Sequence, residues 1–154
     1  MPSGTKNPII ISDTICLIAL TNINLLDVLN RLYESVLITP EVANEYGEPL
    51  PEWISVESVK DTKKMAAFNR FIDLGESSAI VLAMEIDDAV LIIDDKEARQ
   101  FAQNLGLKIT GTLGILIRAY KQGLIPNLSA AISKLKEAGF HLPANIDTYL
   151  SSIS

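Results

Sequence analysis

The chain has 154 residues, 48% of them hydrophobic, and carries a net charge of −6. That much apolar material excludes a disordered chain, and the length suits one domain, expected to span 1–154. An acidic balance argues against a module that holds nucleic acid mainly by neutralising phosphates; it fits carboxylates whose metal ions meet phosphate, or a basic protein partner.

Residues 8–12, PIIIS, read as a short buried strand rich in β-branched side chains. Asp13-Thr14 then opens a helix through Leu20, and Asn24 to Tyr33 carries a helical apolar face. VLIT at 36–39 is a second strand. Pro40 suits the first turn of a helix that runs to Tyr46 and stops at Gly47. The two prolines of GEPLPEW mark a loop. ISVESV at 54–59 alternates like an edge strand, and 61–73 looks like an amphipathic helix. Gly75 breaks the chain, and Glu76 opens the apolar helix SSAIVLAMEI. AVLII at 89–93 is the clearest buried strand and ends at Asp94-Asp95. A helix to Asn104, a short strand LKIT at 107–110, a helix from Gly111-Thr112 to Lys121, a helix over 128–138 closed by Gly139 and a tail helix over 143–151 complete the chain.

Alternating strands and helices predict an α/β fold with parallel strands and helices on both faces. The core is expected over about 8–125, with the last helices, about 126–151, as a C-terminal extension. No apolar run is long enough to span a bilayer. The N-terminus lacks a signal peptide's apolar stretch and cleavage site, so no membrane contact and a cytoplasmic location are expected. Cys16, the one cysteine, reads as a buried, inert thiol.

Ligands of open α/β sheets bind beyond the carboxyl ends of the strands. Asp13 follows the first strand directly, and Asp94-Asp95 follow AVLII. Neighbouring strands would bring these acids together, and crowded carboxylates with oxygen donors suit Mg²⁺ or Mn²⁺. Each acid also has a plainer reading. Asp13 and Asp95 suit helix N-caps, Glu76 suits a helical first turn, and Glu45 is a solvated glutamate near a helix end. Asp87-Asp88 fall in the loop before the strand, at the wrong end of the sheet. Other chemistries lack their residues. His141 is the only histidine and sits after a helix-ending glycine, no nucleophile elbow or phosphate loop is present, and Cys and His are too few for a zinc site.

The segments IIISDTICLIAL, LITPEVANEYG, GESSAIVLAMEI and VLIIDDKEARQFAQNLGLKITGTLGIL together resemble a PIN domain over roughly residues 8–125. More narrowly they resemble a subfamily of unknown function related to VapC-type toxins. The resemblance implies a three-layer α/β/α fold around a parallel sheet and a metal-dependent ribonuclease site using Mg²⁺ or Mn²⁺. It matches Asp13, Glu45, Glu76 and Asp95 to catalytic and metal-binding acids, with Asp94 beside Asp95 as a substitute ligand. Glu76 stands where many VapC-type proteins have aspartate. Thr14 and Thr112 fit positions that contact water or phosphate. Lys96, Arg99, Arg118 and Lys121 are candidate basic contacts, or plain solvated helix charges. The implied partners are an RNA substrate, an antitoxin protein and a second copy in a homodimer. A catalytically inactive binding or regulatory protein, and a nuclease acting on DNA, stand as alternatives.

Overall fold

The computed structural model describes residues 6–153. In chain order its elements are β1 (Asn7–Ser12), α1 (Thr14–Asn22), α2 (Val28–Leu32), β2 (Tyr33–Ile38), α3 (Pro40–Tyr46), β3 (Ile54–Val56), α4 (Thr62–Phe68), α5 (Leu74–Glu85), β4 (Ala89–Ile92), α6 (Lys96–Asn104), β5 (Ile109–Thr110), α7 (Thr112–Lys121), α8 (Leu128–Glu137) and α9 (Ile146–Ile153). The strands form one sheet in the order β3-β2-β1-β4-β5, and every pairing is parallel. Helices carry the crossovers, as parallel neighbours require.

Burial on both sides explains the unbroken apolar run of β1. Ile10 and Ile11 are both fully buried, but on opposite faces of the sheet. Ile10 joins a core with Leu17 of α1, Leu29 of α2, Val42 of α3, Leu116 of α7 and Leu135 of α8. Ile11 joins a second core with Ile80 of α5 and Ala98 of α6, against which Met65 and Phe68 of α4 pack. The result is the expected three-layer α/β/α arrangement.

Several boundaries differ from the sequence reading, each for a local reason. The helix expected over 24–33 shrinks to Val28–Leu32, because Asn24 takes a left-handed φ of 59° and Leu25 N–H donates to Leu20 O at 2.9 Å, closing α1. Tyr33 then enters β2 three residues before the expected strand start. The strand at 54–59 is only Ile54–Val56. The helix at 61–73 ends at Phe68, since Asp73 is needed as the cap of α5. Gly75 lies inside the first turn of α5 and does not break the chain. β5 is reduced to Ile109–Thr110 because Leu107 N–H still closes α6 on Ala102 O at 3.2 Å. The tail helix starts at Ile146, three residues past Pro143.

This fold positions the acids. The register pairs Ser12 with Ile92, so β1 and β4 end side by side and the residues after them emerge together at the carboxyl edge of the sheet.

Candidate functional site

Asp13 leaves the end of β1 and caps α1, its Oδ1 accepting from Cys16 N–H at 2.8 Å. The plainer reading of this acid, as an N-cap, is therefore true but incomplete. Its Oδ2 accepts from Asp94 N–H at 3.0 Å, and its own N–H donates to Ile92 O at 3.2 Å. Asp13 thus ties the ends of β1 and β4 together while only 2% exposed. Asp94 turns toward α7. Its Oδ1 accepts from Thr112 N–H at 2.9 Å and its Oδ2 from Thr112 Oγ1 at 2.6 Å. It supplies the N-terminal acceptor that Gly111, the N-cap of α7, has no side chain to provide.

Asp95 caps α6, accepting from Ala98 N–H at 3.0 Å, and is otherwise exposed. Glu76 is nearly buried in the first turn of α5, whose N-cap Asp73 accepts from Glu76 N–H at 2.9 Å. Glu45, near the end of α3, accepts from Thr14 Oγ1 at 2.5 Å across to α1. Its carboxylate lies against Gly75, and a Cβ there would run into it. The five acids fall into three local sets: Asp13 with Asp94, Glu76 with Asp73 and Asp95, and Glu45 with Thr14 and Gly75.

Electrostatics ties the sets together. Burial raises the Asp13 carboxyl well above its ordinary range, and repulsion from Asp94 and then Glu76 adds to it, against the N–H bonds from Cys16 and Asp94. Burial also raises Asp94, opposed by the Thr112 bonds and the charge of Arg99. Glu76 is pushed up to about 7, by burial first and then by Asp73 and Asp95. The buried thiol of Cys16 is raised by the same means, burial first and then Asp13 and Asp94. The only ion pair among the described residues is Lys64–Asp61, so none of these acids has a salt-bridge partner.

This donor set is all hard oxygen, the kind that Mg²⁺ and Mn²⁺ take, and its acids hold excess negative charge that a cation would relieve. Among the described residues, however, no three Asp, Glu, His or Cys side chains stand close enough together to share one ion as they are. The chemistry of the residues fits a divalent cation, and their side chains would have to draw together around it.

The expected basic residues separate. Arg99 stands beside Asp94 and donates from Nη1 to Ile93 O at 2.8 Å. Lys96 borders the same acids. Arg118 instead reaches Tyr33, donating to its hydroxyl at 3.3 Å, and Lys121 is exposed near the end of α7. His141 lies in an exposed loop and Cys16 is buried, both as expected. Asp73 was not among the expected site residues. Its signal was present, since an acid three residues before Glu76 has the spacing of a capping box.

A family model described as PIN domain matches residues 9–151, nearly the whole chain. No curated protein sequence matches it significantly.

Proposed function

The chain belongs to the PIN domain family, and from that premise we propose that it is a metal-dependent endoribonuclease, with Asp13, Glu45, Glu76, Asp94 and Asp95 as its acids. PIN domains are generally nucleases that act on nucleic acid and use divalent metal ions. The observation that carries the reading is the setting of Asp13. It is buried at the carboxyl edge of the sheet, shares a hydrogen bond with Asp94, and has acids rather than cations for neighbours. A buried carboxylate so placed is costly unless a cation joins it.

Asp13, Glu76 and Asp94 or Asp95 would hold Mg²⁺ or Mn²⁺, with Glu45 as a further ligand or the holder of a ligated water. A bound divalent ion supplies an activated water and offsets charge on the phosphate oxygens. The protein's own share is positional. The N–H groups of Cys16 and Asp94 fix both oxygens of Asp13, and Thr112 fixes both oxygens of Asp94. Thr14 orients Glu45, and Gly75 leaves room for its carboxylate. Thr14 would be the hydroxyl that meets water or phosphate; Thr112, expected in the same role, is instead fully buried with its hydroxyl donated to Asp94.

Incubation with structured RNA and Mn²⁺ tests this. Cleavage is expected to need the ion and to disappear in the Asp13→Asn/Asp95→Asn double variant; cleavage that survives both substitutions refutes the assignment. A second reading, an inactive PIN-fold binding or regulatory protein, draws on the wide spacing of the acids. It expects weak Mn²⁺ binding by calorimetry and no cut RNA. A DNA substrate in the same panel separates deoxyribonuclease from ribonuclease activity. We further propose a cytoplasmic toxin held by an antitoxin protein, and a homodimer. The exposed Ile15 and Ile18 on α1 support a protein partner, and no helix among the described residues is long and apolar enough to cross a membrane.

A further inference from the structure

The segment after α8 returns to the acid edge. Gly139 takes a φ of 94°, and the resulting helix stop sends Phe140 N–H to Leu135 O at 2.9 Å and Gly139 N–H to Lys136 O at 3.0 Å. This fixes the backbone from which Phe140 and His141 project. Phe140 is half-buried, with part of its ring against the main core.

Phe140 and His141 line two open clefts that meet at Asp94. One, of about 620 Å³, also has Arg99, Gly111 and Gly114 on its walls. The other, of about 480 Å³, also has Ile15, Asp95 and Lys96. Asp94, Phe140 and His141 are the residues shared by both. Gly111 lets Asp94 and Arg99 pack close together on the wall of the first cleft, since a Cβ there would stand 2.9 Å from Asp94 Oδ1 and 3.0 Å from Arg99 Nη1. Each cleft therefore offers an aromatic ring, a cationic side chain and access to the same acid.

We propose that these clefts take two successive nucleotides of single-stranded RNA on either side of the phosphate presented to Asp94. Phe140 stacks an unpaired base, and Arg99, Lys96 and His141 meet the flanking phosphates. The inference rests on the nuclease reading above. It follows from the pairing of an aromatic face with cations, since a base inside a duplex has both faces covered and has none left for Phe140. Clefts of this size suit ligands as large as a nucleotide. In a chain whose overall balance is acidic, Arg99 and Lys96 set a cation beside the acids of each cleft.

The test uses the full chain with a short single-stranded oligoribonucleotide and its duplex. Binding is read by fluorescence anisotropy in EDTA, and cleavage in Mn²⁺. Phe140→Leu keeps apolar bulk against the core and removes the ring, while Phe140→Trp keeps a ring. With thermal melts showing both folded, Phe140→Leu is expected to bind the single strand about tenfold more weakly, and the duplex to bind the wild type less well than the strand. Phe140→Trp should retain affinity, and its added indole emission should be quenched by RNA. If Phe140→Leu binds and cuts like a wild type that is active, this inference is overturned and the nuclease reading stands. If the wild type neither binds nor cuts the strand, both fall.

Discussion

Glu76→Gln separates the electrostatic cost of the acid edge from its use. Glu76 is 8% exposed, and burial with the nearby Asp73 and Asp95 carries its carboxyl from an ordinary 4.5 to about 7. That displacement corresponds to about 3 kcal/mol against the ionised form in the folded state. The folded chain binds this proton more tightly than the unfolded chain. Its contribution is therefore fully present below about pH 4.5 and is lost as the pH rises through about 7. Glutamine cannot ionise and keeps the size of the protonated side chain. In EDTA, wild type and variant should be similarly stable near pH 4.5, and the variant should be more stable near pH 8 by up to about 3 kcal/mol, or about 9 °C in Tm. Glutamine also removes a charge that raises Asp13, so Asp13 should ionise more readily in the folded variant, which acts in the same direction. Adding Mn²⁺ near pH 8 should stabilise the wild type more than the variant, because binding to the folded state alone adds stability by mass action. Denaturant melts at several pH values measure all of this. Parallel pH profiles for the two proteins, or a variant less stable near pH 8, would refute the reasoning.

Asp13→Asn keeps an oxygen for Cys16 N–H but loses the acceptor for Asp94 N–H, so the chain should fold with lower stability, while RNA cleavage falls by at least about 100-fold in a gel assay. Asp13→Ala should lose the helix cap as well, at a further cost of about 1 kcal/mol by denaturant melt. Gly75→Ala should leave the Tm within a few degrees, since the obstructed group is the flexible end of Glu45, yet cut activity by up to about 100-fold through displacing that carboxylate. Cys16 should be silent to a thiol reagent in the native protein and titrate as one thiol after denaturation, because its buried group resists ionisation.

The fold was legible where burial dictates the pattern. PIIIS and AVLII are two-sided core strands, and their apolar runs marked both the strands and the acids that follow them. Element ends were less legible, because they depend on caps that compete for the same residues. Asp73 serves α5 and so ends the turn after α4, and Asn24 closes α1 where propensity alone would extend a helix. At the site, position along the chain put Asp13 and Asp94 at the same edge, and the adjacency of β1 and β4 joined them. What the chain order could not express was the division of labour between adjacent acids. Asp94 bonds to Thr112 and to Asp13, while Asp95 caps α6 and lies near Glu76. Resemblance favoured Asp95 over Asp94, and the structure gives each a separate neighbour. Phe140 is not legible in the sequence because nothing local distinguishes a ring after a helix-ending glycine; only the return of the chain to Asp94 and Asp95 does.

The central claim is that these acids gather a divalent ion, and a crystal structure grown or soaked in Mn²⁺ tests it most directly. The predicted result is an anomalous peak at the carboxyl edge of β1 and β4, about 2.2 Å from an oxygen of Asp13 and from an oxygen of Glu76, Asp94 or Asp95. With Mn²⁺ in excess, no peak at that edge and every carboxylate still on its N–H and hydroxyl partners would contradict it.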